Sequence, residues 1–210
     1  MNNLSQVSCA KQDLANDIKR FQEEFYKSEP KSILFKNKQK DKCSNAVLEK
    51  YELDILTERS IYVIESTKSI FVDYSILKLY INDTILQEIV DHTVDKIIFC
   101  MSNYTDYEVH LDLSGFTISA LNRYKNLIYS CYAMFRTASQ RTGIDFERLL
   151  IRMCIYNTPS FVQSIKAIFA SVFSPLLNGK MIYYDKIESG VYIRQLFDTN
   201  LDMLENRAAT

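Results

Sequence analysis

Tryptophan is absent from this chain of 210 residues, and glycine (4), proline (3) and histidine (2) are scarce. With so little glycine there is no Gly-rich phosphate loop and no dinucleotide fingerprint. The five cysteines, at 9, 43, 100, 131 and 154, include no Cys-x-x-Cys pair and have no clustered histidines beside them. A zinc site or a disulfide framework therefore has no support, and a reducing compartment is expected. Charge of one sign is missing too: a formal net charge of −1 offers nucleic acid no long-range attraction, so no nucleic-acid partner is expected. No apolar run reaches the roughly 18 residues that cross a bilayer, and the N-terminus opens on polar residues. The expectation is a cytoplasmic protein that neither crosses a membrane nor is secreted.

What is present is an ordinary globular mixture, 47% hydrophobic and 24% charged, long enough for one large core with an N-terminal appendage. Leu14, Ile18, Phe21 and Phe25 recur at helical spacing between residues 11 and 27, and Pro30 closes that segment. Lys31, Lys36, Lys38, Lys40 and Lys42 then read as a solvated connection, or as a contact for an anionic membrane. Ser44 can cap a helix running to about Thr57. Short β-branched runs at 61–64 and 70–72 predict two strands at one sheet edge. A sheet-covering helix is expected from about Thr84 to Met101, with His92 on its solvated side. A strand over 108–113 ends in Asp112-Leu113-Ser114-Gly115, where Asp112 accepts backbone N–H groups and Gly115 takes a positive φ. A long helix follows from Thr117 to Gly143. Strands alternating with helical crossovers predict an α/β fold with a mixed sheet.

The stretch 152–185 carries the most information. A buried strand over 149–156 leads through Asn157-Thr158-Pro159 into an amphipathic helix over about 160–173. On a helical wheel Phe161, Val162, Ile165, Ile168, Phe169, Val172 and Phe173 fill an arc of roughly 140°. After Ser174-Pro175, Asn178-Gly179 predicts a tight turn into a strand beginning near Lys180, and residues 191–206 predict a final helix. An aromatic face this wide must be covered, either by ordinary core or by a bound apolar molecule.

Taken in order, Val109 to Gly115, Ile155-Tyr156-Asn157-Thr158-Pro159-Ser160-Phe161, Ile165 to Pro175 with Leu176-Leu177, and Lys180-Met181-Ile182 resemble the CRAL-TRIO, or Sec14-like, lipid-binding domain. The similarity covers about 105–185 and extends back to about 60. It implies a CRAL-TRIO-like mixed β-sheet covered by helices over 59–210, with a mobile amphipathic gate helix, and a helical extension and Lys-rich linker over 1–58. It also implies binding, transfer or presentation of a phospholipid or other apolar molecule beneath the gate, with a membrane surface as transient partner and peripheral location. The implied lining is Phe161, Ile165, Ile168, Phe169, Val172 and Phe173. In phosphoinositide-binding relatives a lysine and a glutamate hold the head group; Lys180 matches by position, and Glu147 lies one residue out of register. An exposed strand-end lysine is the commoner explanation of Lys180.

A protein-interaction scaffold of the same fold with a filled pocket is the alternative; related domains without clear lipid chemistry bind proteins such as small GTPases. A third reading makes the N-terminal helix and its Lys-rich connection an arm that docks a protein partner. No enzyme, cofactor or metal is expected. His110 and Asp112 share a strand face, but Ser114 does not sit in a Gly-x-Ser-x-Gly elbow, and Cys154 reads as a small buried hydrophobe.

Overall fold

The computed structural model describes residues 3–28, 36–64 and 67–208, with side chains described over 13–28, 38–64 and 67–198. Helices α1 (Asn3–Ser28), α2 (Lys36–Lys50) and α3 (Leu53–Ser60) precede the sheet. Strands β1 (Ile61–Val63) and β2 (Ser69–Asp73) then pair antiparallel, with Ile61 opposite Val72. From β2 the chain passes through the short helix α4 (Tyr74–Leu77), a 3-10 turn at Asp83–Ile85 and α5 (Leu86–Asn103) into β3 (Tyr107–Asp112), parallel to β2. A second crossover, α6 (Ile118–Thr142) with α7 (Phe146–Leu149), leads to β4 (Leu150–Tyr156). The third, α8 (Val162–Val172) with α9 (Pro175–Gly179), leads to β5 (Met181–Tyr183), and α10 (Lys186–Ala208) follows.

The sheet order is β1-β2-β3-β4-β5, parallel except for β1. The fold is thus α/β with a mixed sheet. Side chains alternate along each strand, so the register puts Ile70, Val72, Val109, Leu111, Met153 and Ile155 on one face. Phe71, His110, Cys154 and Tyr156 point to the other. Ile89 and Ile97 of α5, Ile128 and Phe135 of α6 and Phe169 of α8 all cover the first face. On the second, Phe71 meets Phe197 of α10, ring centres 5.4 Å apart.

Local chemistry explains most boundaries. Thr117 caps α6 by accepting from the Ala120 N–H, and Gly143 ends it with φ +71°. Ser174 caps α9 with Pro175 in its first turn, so Asn178-Gly179 belongs to a short helix rather than to the tight turn expected. Pro159 stands before α8, its carbonyl accepting from the Val162 N–H. The final helix starts five residues earlier than 191 and includes Gly190. The run expected as a linker is helical from Lys36: lysine is a good helix former, Lys38, Lys40 and Lys42 face water, and Cys43, Ser44 and Val47 are buried. The helix expected over 44–57 is accordingly two, broken at the extended Glu52. Lys31, with Pro30, lies outside the described residues.

The N-terminal helices join the sheet's own core. Ala15, Ile18, Val47 and Leu56 belong to the cluster that contains Ile61, Ile70 and Val90, continuous across the 58/59 boundary. Gln22 Nε2 donates to the Leu79 carbonyl at 2.9 Å, and the Ser60 and Tyr80 hydroxyls meet at 2.5 Å in the interior. Ile18 is 0% exposed, so Ile18→Ala leaves a cavity. It should lower the stability of the whole chain by about 2–5 kcal/mol in a single urea transition. A separate low-denaturant transition for the helices, with the main one unmoved, would contradict a shared core.

Candidate functional site

Between the first sheet face and helices α5, α6 and α8 lies a cavity of about 570 Å³. Val72, Val109, Leu111 and Met153 form its floor. Ile89, Thr93 and Ile97 of α5 wall one side, Leu127, Cys131 and Phe135 of α6 the other, and Phe169 and Phe173 close one end. This is the size and character of small-molecule sites, apolar with a few polar groups. Burial pushes the Cys131 thiol up to about 12 and that of Cys100 to about 11, so both remain protonated and act as apolar groups. The exposed residues of the lining are Arg136, Gln140 and Asp145, which places its opening beside the C-terminal half of α6.

Of the α8 residues read from the sequence, Phe169 and Phe173 line the cavity. Ile165 is fully buried, and Phe161 and Ile168 pack around it in a second cluster with Leu121 and Tyr124. Val172 is half-buried and lies away from the lining.

Glu147 does line the cavity, but its carboxylate is occupied. It accepts from the Tyr132 hydroxyl at 2.6 Å and from Ser174 Oγ at 2.5 Å, while the Ser174 N–H donates to the Tyr132 oxygen at 3.0 Å. Burial, then Glu147, raises the Tyr132 phenol, which therefore stays a donor. Lys180 comes close to Glu147 only through the main chain. Its ammonium donates to the carbonyls of Glu147, Arg148 and Leu150 at 2.7, 3.0 and 2.5 Å. Three donors meet three carbonyls at the end of α7, a cap that uses the whole capacity of the side chain. These contacts tie α6, α7 and α9 together at one end of the cavity.

The two turns that carried the family resemblance meet each other. Asp112 Oδ1 accepts from the Ser114 N–H at 2.9 Å and from Asn157 Nδ2 at 2.7 Å. Gly115 (φ +74°) and Asn157 (φ +52°) both take left-handed backbone, which glycine adopts freely and asparagine tolerates.

His110 has other partners than Asp112. Its Nδ1 meets the Tyr156 hydroxyl at 2.9 Å, and its buried Nε2 lies 3.5 Å from Glu108 Oε2 without a formed hydrogen bond. Arg152 Nε donates to the same oxygen at 2.8 Å. Burial lowers the imidazole pKa, but Cys154 and Glu108 as partners outweigh it, and the net shift is upward. The neighbouring His110 imidazole, against burial and together with Arg152, holds Glu108 down to about 2. His92 corrects the expectation of a solvated residue: α5 lies across β1, and the ring meets the Ile61 carbonyl at 2.9 Å.

Among the described residues, no group of three or more His, Cys, Asp or Glu side chains converges as a metal site, and no helix is long and apolar enough to cross a membrane. No known family matches the chain, and no curated protein matches it.

Sequence reasoning missed most of the lining. The apolar period of α6, with Ile128, Cys131 and Phe135 aligned, was its one visible signal, and that pattern reads the same whether the face meets core or cavity. Two outcomes follow. Lys180→Met strips three carbonyls of their donor and should lower stability by about 2–3 kcal/mol in chemical denaturation; an unchanged midpoint would deny the cap. Glu108 has a folded pKa below its ordinary 4.5, so its contribution is present above pH 4.5 and lost as pH falls towards about 2. Glu108→Gln should therefore flatten the acid limb of the stability profile in that window.

Proposed function

We propose that the chain binds one apolar, lipid-like small molecule in the cavity between its sheet and helices α5, α6 and α8, and that it is a distant CRAL-TRIO-like lipid carrier or presenter. The observation that carries this reading is the cavity itself: about 570 Å³, lined by aliphatic and aromatic side chains and open at one side. The ordered motifs from Val109 to Ile182 and the mixed five-stranded sheet are in keeping with it. The volume suits a single-chain ligand better than a whole diacyl phospholipid. At roughly 30 Å³ for each group the size of a water molecule, it holds on the order of 20 non-hydrogen atoms. Entry beside Arg136 and Gln140 would leave α8, with Ile165 fully buried, as a wall.

A scaffold reading draws on one observation. Ile187 (83% exposed), Val191 and Tyr192 at the start of α10, with Ile182 on β5, leave apolar surface uncovered.

Native mass spectrometry of the purified chain should show a co-purifying apolar molecule that organic extraction removes. Leu127→Trp places extra bulk on the α6 wall. It should abolish that adduct and any uptake of labelled lipid from vesicles, at a stability cost of about 1–3 kcal/mol. No adduct and no uptake by the wild-type chain would remove the reading.

A further inference from the structure

The polar side chains lining the cavity differ in one respect: most already have partners. Thr93 Oγ1 donates to the Ile89 carbonyl at 2.7 Å and Ser139 Oγ to the Ile144 carbonyl at 2.5 Å. Tyr132 and Glu147 are engaged with each other and with Ser174. Asp145 Oδ1 accepts from the Arg148 N–H at 3.0 Å and caps α7. Arg136 and Gln140 are the exceptions. Both are exposed, both line the cavity at its opening, and neither has a hydrogen bond or ion pair among the described residues. One helical turn apart on α6, they are neighbours on the helix surface. Arg136 is also the one cation among the described lining residues.

An arginine fork and an amide N–H group side by side at the end of an apolar cavity form a receptor for an acceptor with two oxygens. The geometry points to a long-chain monocarboxylate as the ligand, its tail among Val109, Leu127 and Phe169 and its carboxylate on Arg136 and Gln140. This rests on the proposed function and adds the ligand's head group to it. Tail length follows from volume. The order of 20 non-hydrogen atoms corresponds to a carboxylate on roughly 16 to 18 carbons. Single charge follows from the neighbours. The carboxylates of Asp145 and Glu147 share the lining, so a doubly charged phosphate meets more repulsion than a monoanion does.

The test uses the full chain after organic extraction and displacement of the neutral dye Nile red by palmitate, methyl palmitate and hexadecyl phosphate. The expected result is palmitate binding at least about tenfold tighter than its methyl ester, as one charge-assisted contact predicts. Arg136→Gln should reduce palmitate to the level of the ester and leave the ester unchanged, while Arg136→Lys restores part of the preference. Because Arg136 is exposed and unpaired, these variants should keep the wild-type melting temperature. Equal affinity for acid and ester, a preference that survives Arg136→Gln, or hexadecyl phosphate binding tighter than palmitate would each overturn the carboxylate assignment while leaving an apolar site in place. Displacement by none of the three would overturn the assignment and the proposed function together.

Discussion

The order of the strands governs everything else in this fold. Four parallel strands that follow one another in sequence and in space must be joined by crossovers, and right-handed crossovers stepping in one direction put every connecting helix on the same side. Helices α5, α6 and α8 therefore crowd one sheet face, and the other is left to α10. The first face is accordingly apolar from Ile70 to Ile155, and the second carries His110, Glu108 and Tyr156.

Crowding on one face does not fill it. The floor and walls of the cavity include several short side chains, Val72, Val109, Thr93 and Cys131, which do not reach across the gap between sheet and helix. The helices are held in place by polar ties at the rim. Tyr132, Glu147 and Ser174 link α6, α7 and α9, and Lys180 closes the end of α7. Arg141 of α6 reaches Asp91 of α5 at 3.3 Å on the exposed side, a pair too solvated to add much stability but placed where the two helices flank the opening.

Much of the scaffold was legible because its signals are local. Thr117 and Gly143 mark the ends of α6, and Asp112 with Gly115 marks the turn after β3, each through bonds made within a few residues. The errors arose where packing overrides local preference. Gly190 weakens a helix on its own, yet Tyr192 against Tyr184 and Phe197 against Phe71 hold α10 in place around it. Of the residues read from the sequence as a site, only Phe169, Phe173 and Glu147 line the cavity. Its other walls come from segments far apart in sequence, and a void has no sequence period. Lys180 and Glu147 show a further limit: charge and position suggest a head-group site, whereas the carbonyls and hydroxyls that occupy them are evident only in three dimensions.

Energetics connect the void to the proposed ligand. At about 24 cal/mol per Å³, a dry cavity of 570 Å³ would cost on the order of 10 kcal/mol, comparable with the whole stability of a typical domain. Water relieves that cost near Arg136 and Gln140, where it finds partners, but not along Val109, Leu127 and Phe169, where it finds none. Apolar atoms of the proposed ligand would relieve the cost of the deep part. Binding and folding are then linked: a ligand that fills the deep part stabilises the native chain in proportion to the logarithm of its free concentration over Kd. The polar ties at the rim complete the argument, since they fix the walls independently of the ligand and keep the void from collapsing when it is empty. The ties made by Glu147 and Lys180 at the rim, and the unpaired Arg136 at the mouth, are in keeping with the proposed occupant, an apolar body with a single polar end.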